Sequence, residues 1–159
     1  MNQTSFEERV TAMTEDMYRV AAGLLFRYAD RQDAVQECIW KAWRQLDKLR
    51  DEAAFRPWLM RILVNECRNL QRKAKREVTA EYIEISSSEN AFDHYDRDEM
   101  LHEALHKLPE KMRLTLILYY MDGFTIGDTA KILRIPEGTV KSRLRIGRMR
   151  LKEMLGEEV

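Results

Sequence analysis

Hydrophobic positions recur along most of this chain at intervals of three and four, the spacing of a helix with one buried face. Met13, Met17, Val20, Ala21, Leu24 and Leu25 predict one or two helices between Phe6 and about Tyr28. Asp30-Arg31-Gln32-Asp33 then offers an N-terminal cap for a strongly helical run from Ala34 to about Leu49. Val35, Ile39, Ala42, Trp43 and Leu46 form its apolar stripe, Trp40 lies at the boundary, and Asp33, Gln36, Glu37, Lys41, Arg44 and Gln45 stay outside. After a polar loop over Asp47–Ala54, Phe55 opens a third long helix that tolerates Pro57 in its first turn. Along it Leu59, Ile62, Leu63, Glu66 and Leu70 alternate with Arg56, Arg61, Asn65, Arg68, Asn69, Arg72 and Lys73.

From Glu77 to about Arg97 the period disappears, and Ser86-Ser87-Ser88 among acids reads as a flexible connector. Periodicity returns with Leu101, Ala104, Leu105 and Leu108, then with Leu114, Ile117, Leu118 and Met121. Gly123 ends that helix where a left-handed residue is wanted, and Phe124 pins the next turn. Thr125 to Lys152 reads as two short helices. Ile126, Ala130 and Leu133 belong to the first, and small Ala130 lets the pair cross closely. Arg134-Ile135 interrupts it, with the neighbours of Arg134 expected to do the turning, and Pro136 suits the first turn of the second. That second helix runs to about Leu155, with Val140, Leu144 and Leu151 on one stripe and Gly147 between them.

Composition agrees with helix: Gly and Pro are scarce, and the whole is an all-α chain of 159 residues, long enough for two small domains. Charge changes the picture more. Twenty-seven Lys and Arg balance 27 Asp and Glu, but the balance conceals segregation. Arg56 to Arg76 contains a single acid, Glu66, and the helix after Pro136 is similarly basic, whereas Glu77 to Glu103 is acidic. Two basic patches therefore flank an acidic connector. The polar stretch Met1–Arg9 has no signal-peptide core and no apolar run approaches a membrane span, so a soluble, cytoplasmic protein is expected. Cys38 and Cys67 lie far apart without zinc-site spacing and are expected as buried thiols.

Three patterns carry candidate chemistry. The basic edge Lys141, Ser142, Arg143, Arg145, Arg148, Arg150 and Lys152, opening a helix set against a shorter one, is the arrangement that enters a DNA major groove. Phe55 and Trp58 beside Arg and Asn on one helix suit a melted strand, where cations hold phosphates and π-faces or amides hold splayed bases. His102-Glu103-Ala104-Leu105-His106 matches the zinc-peptidase pattern, but no His follows to complete it and Leu101, Leu105 and Leu108 serve more simply as a packing face, so no metal, no cofactor and no catalysis are expected.

Leu108-Pro109, Leu118-Tyr119-Tyr120, Gly123, Ala130, Leu133 and the run Ile135 to Leu144 resemble the promoter-reading carboxy-terminal domain of extracytoplasmic-function sigma factors of the sigma-70 family. Asp33-Ala34-Val35-Gln36-Glu37 with Lys41-Ala42-Trp43, and Phe55-Arg56 with Trp58-Leu59, Arg61-Ile62 and Asn65, resemble the amino-terminal domain of that family. The resemblance implies domains over 1–76 and 98–159 joined by an acidic linker over 77–97, the second a helix-turn-helix domain. It implies core RNA polymerase as partner, through the β′ clamp helices at Asp33, Gln36 and Glu37 and through the β flap. It also implies −10 recognition by Phe55, Arg56, Trp58, Arg61, Asn65, Arg68, Asn69 and Arg72, with a base-capturing loop over Lys48 to Phe55. For the −35 element, Lys141, Ser142 and Arg145 would reach base edges and Thr139, Arg143 and Arg148 phosphates. An anti-sigma factor, often membrane-anchored in the family, is a further implied partner; a small-molecule substrate is not. Ile146-Gly147-Arg148 departs from the Arg-Ala-Arg common in the family. A stand-alone helix-turn-helix regulator is the alternative, but it leaves the Asp33–Trp43 and Phe55–Lys73 segments unexplained.

Overall fold

The computed structural model describes residues 1–77 and 99–156, and everything regular among them is helical. The connector expected over Glu77–Arg97 lies, apart from Glu77, outside the described residues. In the first half, α1 (Gln3–Ala12) and α2 (Thr14–Leu24) divide one hydrophobic run at Met13. Asn2 caps α1 by accepting the Ser5 N–H at 2.8 Å.

The next helix, α3 (Tyr28–Arg44), begins earlier than its sequence suggests: its N-cap position is Arg27, which makes no side-chain cap, and Asp30 to Asp33 lie inside the helix. The reason is Arg31, which turns inward. Its Nε donates to the Leu25 carbonyl at 2.9 Å and its Nη2 to that of Phe26 at 3.3 Å, satisfying the end of α2 and letting helix resume at once. Two short 3-10 turns, Leu46–Lys48 and Glu52–Ala54, occupy the expected loop before α4 (Phe55–Glu77). Lys41, expected outside the α3 stripe, bonds buried Glu66 of α4 at 2.7 Å. Trp43, expected inside it, keeps 39% of its surface exposed and meets the Phe6 ring at 5.2 Å.

The second half holds α5 (Glu99–Lys107), α6 (Glu110–Leu116), α7 (Ile126–Leu133) and α8 (Glu137–Leu155). Pro109 separates α5 from α6, and after Leu116 the helix loosens into a π-helical turn, Ile117–Met121, closed by the Asp122 N–H on the Ile117 carbonyl. Gly123, at φ +76, ends it as the sequence predicts.

One cluster of buried side chains joins the two halves. Leu114, Ile117, Leu118, Phe124, Ile132 and Leu133 pack with Met17, Val20, Leu59, Met60, Leu63 and Val64, while Leu105, Leu108, Val140, Leu144 and Leu151 form a second cluster beneath α8. Burying each large apolar side chain contributes about 1.5–3 kcal/mol. The contact between halves is close at Gly23, where a Cβ would lie 2.7 Å from Ile117 Cδ1 and the carbonyl accepts Arg113 Nε at 2.7 Å.

Candidate nucleic-acid interface

The turn between α7 and α8 is made by Arg134 itself, not by its neighbours. At φ 58 and ψ 48 it is left-handed, the Ile135 N–H reaches back to the Ala130 carbonyl at 3.0 Å, and the helix ends in the manner usual for glycine. A side chain held there costs roughly 1–2 kcal/mol. Thr125 opens α7 by accepting the Asp128 N–H at 3.0 Å, and Pro136 occupies the N-cap of α8, one residue ahead of its expected place.

Val140, Leu144, Gly147 and Leu151 are the buried face of α8. At Gly147 a Cβ would stand 2.9 Å from Leu116 Cδ1, so the departure at this position is where α8 sits tightly on α6. That seating turns Lys141, Ser142, Arg145 and Arg148 fully outward, with Thr139 and Arg143 half-buried at their side. All six expected duplex contacts thus share one helix. Arg148 Nη1 also donates to Tyr120 Oη at 2.9 Å, which ties the basic edge to the π-helical turn.

On α4 the expected residues divide. Arg61, Asn65, Arg68, Asn69 and Arg72 follow one another at helical spacing along one side, partly or fully exposed, and Arg72 bonds Asn69. Phe55 and Arg56 stand apart from them. Phe55 is buried, edge-on to Phe6 at 5.9 Å and beside half-buried Trp58 at 5.9 Å. Arg56 faces the second half, where its Nη2 donates to the Asp122 carbonyl at 3.0 Å and its guanidinium lies 4.4 Å from the centroid of the Phe124 ring. On α3, Asp33, Gln36 and Glu37 are all exposed, the last two one turn from Trp40, which keeps 54% of its surface in solvent.

Some residues with a part in this arrangement carry no sequence signal. Arg19 Nε holds Asp122 Oδ1 at 2.9 Å across the two halves, and Asp122 Oδ2 is buried with no donor among the described residues. Burial therefore pushes this carboxyl up to about 7; the Arg19 hydrogen bond opposes the rise, Asp16 adds to it, and the charges of Arg19 and Arg56 resist it. Arg9, on α1, reaches the loop before α4. Burial, then His102, Arg113 and Arg31, push His106 down to about 4. The His102 and His106 rings lie 4.6 Å apart, and no group of three or more metal-binding side chains occurs among the described residues. Both cysteines are buried; burial raises the Cys38 thiol and pushes that of Cys67 up to about 12, leaving both protonated. No helix among the described residues is long and apolar enough to cross a membrane.

Residues 10–77 match the family described as Sigma-70 region 2, and residues 98–151 match Sigma-70, region 4. The ECF RNA polymerase sigma factor SigM of Mycobacterium tuberculosis is 32% identical over 152 residues, spanning 96% of this chain and 78% of that one. The ECF RNA polymerase sigma-E factor of Escherichia coli K12 is 34% identical over 141 residues, 77% of this chain and 74% of that one. Among solved structures, the sigma factor RpoE of Bartonella quintana in complex with the anti-sigma factor NepR superposes with a TM-score of 0.80 at 28% identity, covering 98% of this chain and 99% of that one. CnrH in complex with the cytosolic domain of CnrY shares the fold, with a TM-score of 0.73 at 23% identity over 99% and 92% of the two chains.

Proposed function

The chain belongs to the extracytoplasmic-function group of sigma-70 factors, which recognise promoters and direct transcription initiation without a catalytic step of their own, and from this premise we propose how its residues divide the work. Residues 1–76 dock on core RNA polymerase through Asp33, Gln36 and Glu37. They read the −10 element as a separated strand through the loop 48–55 and α4, where Asn65 and Asn69 meet bases and Arg61, Arg68 and Arg72 hold phosphates. Residues 98–159 hold the −35 element as duplex, with Lys141, Ser142 and Arg145 at base edges and Thr139, Arg143 and Arg148 on phosphates. The acidic stretch 77–97 links the two. The protein works in the cytoplasm, restrained by an anti-sigma factor as the Bartonella relative is held by NepR.

The observation that carries this reading is the outward edge of α8: four polar or cationic side chains, Lys141, Ser142, Arg145 and Arg148, aligned on a helix whose opposite face is locked by Val140, Leu144 and Gly147. Rigid seating is what lets a helix discriminate base edges, each bidentate Arg–guanine contact being worth about 1–3 kcal/mol. Single-round transcription with bacterial core polymerase on promoters randomised at −35 and −10 tests it. Transcripts that depend on the chain and share two spaced motifs are expected. Duplex binding without polymerase binding or initiation would return the chain to the stand-alone regulators.

A further inference from the structure

The loop before α4 is held from two sides. From within, Asp51 Oδ1 accepts the Ala53 N–H at 3.0 Å and closes the 3-10 turn Glu52–Ala54. From outside comes Arg9, which is 43 positions away in sequence: its Nη1 donates to the Glu52 carbonyl at 2.9 Å and its Nη2 to Glu52 Oε1 at 3.2 Å. The Glu52 carbonyl also accepts the Phe55 N–H, so one oxygen at the junction of loop and helix is fixed by two donors. Beneath it the Arg9 guanidinium lies 5.8 Å from the centroid of the Phe55 ring, and Phe6, one turn earlier on α1, packs on Phe55 and Trp43 together.

The contact with the exposed Glu52 carboxylate is a surface ion pair and does little by itself. The contact with the main-chain oxygen is different in kind, because it fixes the path of the backbone where the loop turns into α4. A site that accepts a splayed base depends on such preorganisation, since any disorder must be removed when the base enters. We infer that Arg9 is a positioning residue for base capture at the −10 element, setting the shape of the 48–55 loop and with it the base preference. The inference rests on the assignment of that loop to base capture.

Arg9→Met keeps an apolar stem over Phe55 and removes both donors; Arg9→Lys keeps a single cationic donor able to reach the carbonyl. Each full chain is combined with core polymerase on the randomised promoters, and base frequencies at every −10 and −35 position are read beside the thermal midpoint of the free protein. With Arg9→Met, preference at one −10 position should relax by roughly threefold to tenfold. The −35 preference and the midpoint should hold, with Arg9→Lys in between. An unchanged −10 profile in Arg9→Met overturns the inference, as does a parallel loss at −10, at −35 and in the midpoint, the signature of a purely structural side chain. If Arg9→Met does not fold, Arg9→Lys decides on the same readout. A wild-type profile with no −10 preference overturns the loop assignment itself, and is told apart because it needs no variant.

Discussion

Raising the pH from about 6 to about 8 is expected to loosen the packing between the two halves, and Asp122 is the group responsible. Its carboxyl is fully enclosed where the π-helical turn meets α2 and α4, facing Arg19 and Asp16 from one and Arg56 from the other. Packed, it titrates at about 7; released into water it returns toward the ordinary 3.8. The packed state therefore holds an extra proton between those values, and its stability falls as pH rises through 7. Integrating that proton difference from about pH 6 to about pH 8 gives about 1.4 kcal/mol, a tenfold shift toward separation. Separation also frees Arg56 from the Asp122 carbonyl and the Phe124 ring, as the −10 role that the family resemblance implies for it would require. Energy transfer between dyes at Glu8 on α1 and Lys152 on α8, both exposed, reads the distance directly. Wild type should lose transfer across the window, whereas Asp122→Asn, neutral at every pH, should stay flat over it. Superimposable profiles for the two, or a wild type that loosens toward acid, would refute the argument.

Three further outcomes follow from the same geometry. His106 titrates at about 4 when folded against the ordinary 6.5, so stability should decline as pH falls from about 6.5 toward 4; in His106→Gln, urea unfolding across that range should show a flatter acid limb. Arg134→Gly should gain about 0.5–1 kcal/mol by removing the left-handed strain, seen as a higher urea midpoint at unchanged slope. Gly23→Leu should wedge the halves apart at a cost of about 1–3 kcal/mol, lowering dye transfer at about pH 6 while helical circular dichroism persists.

What the sequence discloses here is local. The stripe Val140, Leu144, Leu151 gives α8 its buried face and, by subtraction, its basic edge, because both follow from one helical period. Gly123 is legible for a similar reason: a left-handed ending prefers the residue found there. Arg134 takes the same conformation without the matching residue type, so nothing announces it. Asp30 and Asp33 mislead about the start of α3 because the deciding contact is made by Arg31 folding back on α2. Hydrophobic period also places Leu133 on an inward stripe, and the turn calls for Phe124 as a pin, without saying against what; the cluster that holds both reaches into the other half. The reach of Arg56 to Asp122 spans 66 positions and that of Arg9 to Glu52 spans 43, distances over which periodicity carries no information.

The chain of rings from Trp43 through Phe6 and Phe55 to Trp58 has an optical consequence. All three tryptophans, Trp40, Trp43 and Trp58, belong to the first half, two on α3, proposed to dock on polymerase, and one on α4 beside the loop proposed to capture a −10 base, while the second half carries no tryptophan. Tryptophan emission therefore watches one end of the molecule. On the proposed division of work, duplex landing on α8 would leave that signal unchanged, whereas polymerase docking or strand capture would change the solvent and the neighbours of the emitters. The unlabelled protein thus reports separately on two events that a gel shift would merge into one.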